Sequence, residues 1–383
     1  MLCEYMAESK NSRTDGIAQL IPRLVEAGLI GNRQQLELLS VSAIRRFKAD
    51  WPEMTEQLGS LLAKFVVNGA AMRFQAVEPP PSDQEAGLAL LKIEATNNAE
   101  VPVFEQRVRE TVERFLRERL ESELLLREGF GPPRTVLLKG APGTGKTMLA
   151  RAMAANLNLP FVILDLATSI SSYLGKTGGN LRRSLDYARA RPCLLLLDEF
   201  DAIGKRRDDV TEIGELRRIV NVLLKELEEW PMHSVLIAAT NHPELLDPAM
   251  HRRFDVIIQI PLPGQVEREE IITRACGRFV SEVSSGFIEA ISKILNNSSG
   301  SDLVSLSQSV VRRHVVEGAP LASSFIEEIE KGFLNGIPKK ELGAVARNLQ
   351  QSAGLSVREI AALIGKSSST VQYHLTKREV SHA

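Results

Sequence analysis

Between residues 103 and 262, short apolar runs alternate with amphipathic stretches. The runs are Val136–Leu138, Phe161–Leu164, Leu194–Leu197, Val235–Ala239 and Val256–Ile260. Each is continuous rather than alternating, which predicts strands of a parallel sheet covered by helices on both faces. A helical stripe, Phe104, Val108, Val112, Phe115, Leu120 and Leu124, leads into the first run and stops near Gly129 and Gly131. Upstream, Ile17, Leu20, Ile21, Leu24 and Val25, then Leu58, Leu61, Leu62, Phe65 and Val66, recur at helical spacing. Residues 1–78 therefore read as a helical N-terminal module. Pro79-Pro80-Pro81-Ser82-Asp83 cannot continue a helix and opens a linker expected to reach residue 102. After Pro261-Leu262-Pro263-Gly264 the pattern is helical only. The expected architecture is α/β, with a large domain at 103–262 and a small all-α lid at 263–336. A helical C-terminal module is expected at 337–383.

The chemistry gathers at the end of the first apolar run. Gly140-Ala141-Pro142-Gly143-Thr144-Gly145-Lys146-Thr147 follows a strand and precedes a helix that begins near Met148. That context is the one a phosphate-binding P-loop requires. Glycines let backbone N–H groups turn toward phosphate oxygens, and the helix N-terminus adds positive field. Lys146 is expected at the β- and γ-phosphates and the Thr147 hydroxyl at Mg²⁺, so ATP with Mg²⁺ is the expected ligand. A buried strand, Leu194–Leu197, delivers the paired carboxylates Asp198 and Glu199. Asp198 suits the metal, and Glu199 can polarise a water, which makes hydrolysis the expected reaction.

In this order the motifs resemble those of the AAA+ ATPases, in the branch with the second region of homology, over roughly residues 103–335. Within that branch, Asp198-Glu199-Phe200-Asp201-Ala202-Ile203-Gly204 and Thr240-Asn241-His242-Pro243 look closest to bacterial members encoded beside subtilisin-like proteases. The resemblance implies a sensor role for Asn241 after the fourth strand. It implies arginine fingers in Leu246–Asp255, at Arg252 or Arg253, donated to a neighbouring subunit of a ring, commonly a hexamer. Gly300 and Ser301 take the place of the small-lobe turn near the adenine. Tyr173, Leu174 and Gly175 take that of a pore loop gripping an extended protein client. Two departures stand out. Arg252 and Arg253 are adjacent, with no spacer between them, which leaves open which is the finger. Glu228-Glu229-Trp230 replaces the family's inter-subunit Asp-Gly-Phe pattern.

Composition changes this picture in only one place. Net charge is −1, so nothing pulls the whole chain toward nucleic acid, yet the tail after residue 337 is locally basic. There Val357, Ile360, Ala361 and Ile364, then Val371 and Leu375, describe two short helices across a turn containing Gly365. This resembles a helix-turn-helix whose second helix would offer Ser368, Ser369, Thr370, Gln372 and Tyr373 to DNA. A plain packing role competes with that reading. Cys3, Cys193 and Cys276 form no CxxC, no run approaches a membrane span, and the start lacks a signal-peptide core. A cytoplasmic setting is expected. The leading expectation is a ring ATPase that remodels a protein client, with a protease as a possible associate. Its rival is a DNA-bound regulator that uses ATP as an assembly switch.

Overall fold

The computed structural model describes residues 19–30, 33–71, 91–94, 96, 100–166, 177–203, 220, 222–332, 342–363 and 366–376. The described residues fall into two compact units. One is drawn from 1–101, 110–139 and 147–259, the other from 102–109, 140–146 and 260–383.

The first unit is built on a six-stranded sheet of order β1-β3-β4-β5-β2-β6. Its strands are β1 (Lys92–Glu94), β2 (Thr135–Lys139), β3 (Phe161–Asp165), β4 (Leu194–Asp198), β5 (Val235–Thr240) and β6 (Val256–Gln259). The apolar runs form β2 to β6, and every pairing among them is parallel. The stretch expected as a linker contributes β1, an edge strand antiparallel to β3. Its sequence, Lys-Ile-Glu, has no apolar run to announce it. Register decides where the chemistry emerges. Asp198 pairs with Asp165, and Lys139 pairs with Thr240, so the polar residues appear together at the carboxyl edge. In open α/β sheets this edge is where ligands bind.

One face of the sheet closes over Leu137, Leu195, Leu197, Leu236, Trp230 and Phe254. Phe200 meets Phe254 edge-on, with ring centroids 6.0 Å apart. The helices Arg33–Phe47 and Pro52–Ala71 share a small core with this unit, through Val41, Ile44, Leu62, Leu126 and Met232. Polar ties fasten the first of them. The Arg45 Nε donates to the Gly129 carbonyl at 3.1 Å, and the Met232 N–H donates to the Glu37 carboxylate at 3.3 Å. Gly129 has φ +76°, and a Cβ there would lie 2.7 Å from the Arg45 backbone nitrogen. Only glycine permits this approach.

The second unit is helical. Gln265–Cys276, Ser285–Ile294, Gly300–Glu317 and Leu321–Gly332 surround Ile291, Leu306 and Phe325. The tail helices Leu342–Ala353, Val357–Leu363 and Ser368–Thr376 add Ala346, Leu349, Ile360 and Val371 to the same core. The tail expected as a separate module therefore shares its core with the four helices before it. The buried Arg268 braces this unit, donating from Nε to the Ser292 carbonyl and from Nη1 to that of Pro263, both at 2.7 Å. Among the described residues, no helix is long and apolar enough to cross a membrane.

Candidate nucleotide site

The glycine loop at 140–146 packs with the helical unit. Gly143 and Gly145 have φ of +75° and +92°, in the left-handed region that side chains rarely adopt. Space is as tight as the backbone. A Cβ on Gly140 would lie 2.3 Å from the Ile260 carbonyl oxygen, and one on Gly143 would lie 2.1 Å from the Ser301 Oγ. The Ser301 N–H donates to the Gly143 carbonyl at 3.0 Å. Ser299 caps the helix Gly300–Glu317 in a capping box with Asp302, and this fixes that N–H against the loop. Gly300 and Ser301 thus touch the P-loop backbone itself. The Lys146 amine, mostly buried, donates to the carbonyls of Gly140 and Ala141 at 2.8 and 2.9 Å. The Thr144 hydroxyl donates to the Ala141 carbonyl at 2.8 Å. The ammonium is thereby kept on the inside of the loop.

The sheet unit carries a polar cluster of its own. Thr147, in the first turn of the helix Lys146–Asn156, donates its hydroxyl to Asp198 Oδ2 at 3.2 Å. β5 lies between the strands that lead to these two residues, so their meeting is a product of topology rather than of sequence proximity. A hydroxyl and a carboxylate side by side fit Mg²⁺, which prefers hard oxygen donors and keeps several waters. The exposed Glu199 has φ +51°. Its N–H donates to Asp198 Oδ1 at 3.0 Å. Left-handed backbone at a non-glycine residue is costly and gathers at functional positions. Asn241 follows β5, with its backbone N–H donating to Asp201 Oδ1 at 3.2 Å. Asp201 was not singled out from the sequence. The available signal was a carboxylate within the apolar turn Phe200-Asp201-Ala202-Ile203.

Beyond β5, Asp247 caps the short helix Pro248–His251, accepting from the Ala249 N–H at 2.8 Å. The His251 Nδ1 lies 2.7 Å from the Lys139 amine. Burial first, then that neighbouring ammonium, lowers the pKa of His251. A neutral ring accepting from Lys139 follows. The two arginines after it differ. The Arg253 guanidinium is paired with Glu228, whereas Arg252 is exposed and has no ion pair among the described residues. Asp255 then turns the chain back. Its carboxylate accepts from the N–H groups of Arg134 and Thr135 at 2.6 and 3.0 Å and from the Thr135 hydroxyl at 3.1 Å. The start of the P-loop strand is thereby fastened to the arginine segment.

Tyr173, Leu174 and Gly175 lie outside the described residues. In the tail, Ser368, Ser369, Gln372 and Tyr373 are exposed on one short helix, Thr370 is half-buried and Val371 is buried.

Residues 136–262 match the model of the ATPase family associated with various cellular activities (AAA), and this segment is an AAA ATPase domain. Over 202 residues the chain is 39% identical to the 26S proteasome regulatory subunit S10B homolog B of Arabidopsis thaliana, covering 50% of each chain. Over 241 residues it is 32% identical to the proteasome-activating nucleotidase of Methanothermobacter thermautotrophicus, covering 60% of this chain and 58% of that one. The chain spans about half the length of these curated relatives. The crystal structure of the FIGL-1 AAA domain superposes with a TM-score of 0.52 over 69% of this chain and 92% of that one. At 20% identity that likeness is one of fold.

Proposed function

We propose that this protein hydrolyses ATP and couples the hydrolysis, as a ring of identical subunits, to the remodelling of a protein client. The observation that carries the reading is the 3.2 Å hydrogen bond between Thr147 and Asp198. It joins the phosphate-loop helix to the carboxylate pair. In the reaction, Lys146 exchanges its loop carbonyls for phosphate oxygens. Thr147 and Asp198 would hold Mg²⁺, whose charge would offset that of the phosphates. Glu199 accepts the proton of the attacking water, and Asn241 orients that water.

Arg252 is the group offered to the next subunit. A guanidinium that reaches a neighbour's phosphates must be exposed and free of an ion pair at home. Among the described residues Arg252 meets both conditions and Arg253 meets neither. An arginine supplied this way typically contributes about 10³–10⁵ in rate. The printed names of the matched relatives, a proteasome regulatory subunit and a proteasome-activating nucleotidase, support a protein client and leave room for a protease partner. Tyr173, Leu174 and Gly175 remain the proposed grip on the client. We place the ring in a reducing cytoplasm, where Cys193 and Cys276, both free and buried, stay thiols.

A second reading rests on the exposed Ser368, Ser369, Gln372 and Tyr373, whose helix and side-chain types suit DNA. Under it ATP acts as an assembly switch on a DNA-bound protein. Phosphate release from ATP tests the first reading. The parent releases phosphate only with Mg²⁺, and Lys146→Ala loses binding of a fluorescent ATP analogue. A folded parent that releases none refutes it.

A further inference from the structure

We infer that Asp201 is the positioning residue that sets Asn241 opposite Glu199, a role that rests on the ATP-hydrolysis reading above. Glu199 is followed at once by a single 3-10 turn, Phe200–Ile203. Phe200 and Ile203 bury into the core under the sheet, and Asp201 goes with them, 1% exposed. A carboxylate so far from water is tolerated only if donors surround it. Two of its donors come from the end of β5. Asp201 Oδ1 accepts from the Thr240 hydroxyl and from the Asn241 N–H, each at 3.2 Å. The Thr240 oxygen in turn accepts from the His242 N–H at 3.0 Å. Three consecutive residues, Thr240, Asn241 and His242, are thus tied to one carboxylate.

The place of this tie gives it meaning. The ladder between β4 and β5 ends at Leu197 and Ala238. Beyond those residues no strand pairing sets the spacing between the two chain ends, yet it is there that Glu199 and Asn241 stand. Asp201 takes over where the ladder stops. It is two residues from Glu199 along the chain and hydrogen-bonded to Asn241 across the gap. Buried as it is, it does not meet the reacting atoms, so it acts through the residues it holds. Misplacing a reacting group by 1 Å costs about 10²-fold in rate, the scale on which loss of such a brace is felt.

The experiment compares Asp201→Ala and Asp201→Asn in the full chain, reading ATP affinity, kcat and hydrogen exchange at the Asn241 amide. Asp201→Ala should keep ATP affinity within about twofold while kcat falls by about 10²-fold and the amide exchanges rapidly. Asp201→Asn retains an oxygen acceptor in the same place and should recover most of the rate and the protection. Parental kcat with a protected amide in Asp201→Ala overturns the inference, as does an Asp201→Asn as slow as the alanine variant. If Asp201→Ala does not fold, Thr240→Val removes one of the donors from the end of β5 without changing shape. It should lower kcat at unchanged affinity, and parental kcat there also overturns the inference. If the parent itself releases no phosphate, the ATP-hydrolysis reading falls, and amide exchange alone decides whether Asp201 holds Asn241.

Discussion

Arg253 is paired with Glu228 of its own chain, and Arg252, one residue earlier, is left exposed. Adjacent arginines of identical chemistry thereby stand in different surroundings. Glu228 belongs to the Glu-Glu-Trp segment whose last residue is buried in the sheet core.

The first expectation follows from that division. Arg252→Ala should lower turnover by about 10³-fold or more, while Arg253→Ala loses a partly exposed ion pair worth under about 1 kcal/mol and keeps most of its rate. Mixing Arg252→Ala with Lys146→Ala protein should restore part of the activity. In the mixture, an Arg252→Ala subunit, whose loop is intact, can receive the arginine of a Lys146→Ala neighbour. Phosphate release from mixed and unmixed samples measures this. A reversed ranking of the two variants would contradict the assignment.

A second expectation concerns pH. The folded pKa of His251 lies below its ordinary 6.5, through burial and the Lys139 ammonium. Above the unfolded value both states are neutral, and the stability is fully present. As pH falls below about 6.5, the unfolded chain takes up a proton that the folded one refuses, so stability declines until the folded pKa is passed. His251→Gln should flatten this decline. Thermal midpoints of both proteins across pH 5–8 check it, and parallel curves would exclude His251 as the source.

Gly129 gives a third. Its φ is positive, and a methyl added there would meet the Arg45 backbone nitrogen at 2.7 Å, so alanine has no unstrained option. Gly129→Ala should cost about 1–3 kcal/mol and loosen the helices Arg33–Phe47 and Pro52–Ala71. Denaturant unfolding gives the stability, and proteolysis near residue 47 reports the loosening. Parental stability would show that the docking of these helices adjusts freely.

For the tail, surface substitutions are the right probe. Removing 337–383 would strip Ala346, Leu349, Ile360 and Val371 from the core they share with the preceding helices. Gln372→Ala with Tyr373→Ala leaves that core intact. If the DNA reading holds, the double variant weakens a gel shift at about 100 mM salt, where phosphate contacts still count, and leaves ATP turnover alone. Unchanged DNA affinity would remove this helix from consideration.

Much of the large unit was legible because its central strands are buried on both faces, which forces runs such as Leu194–Leu197 into view. The P-loop was legible for a related reason. Gly140, Gly143 and Gly145 are demanded by close contacts and left-handed backbone, so the constraint is written in residue type. β1 was hidden because three residues at a sheet edge need no hydrophobic pattern. The docking of the N-terminal helices was hidden because Arg45 and Glu37 bind backbone groups, which carry no sequence signature. Asp201 escaped notice because its partners at the end of β5 lie some forty residues away, and only the fold brings them together.

The central claim is that the groups around Thr147 and Asp198 hydrolyse ATP with Glu199 as the base. The most direct measurement compares parent and Glu199→Gln for equilibrium ATP binding and for phosphate release. Glutamine keeps the size of the side chain and cannot take the proton, and Asp198 and Thr147 are untouched. The expected result is ATP binding within about twofold of the parent with phosphate release reduced by about 10²-fold or more. Phosphate release at the parental rate from Glu199→Gln would contradict the account.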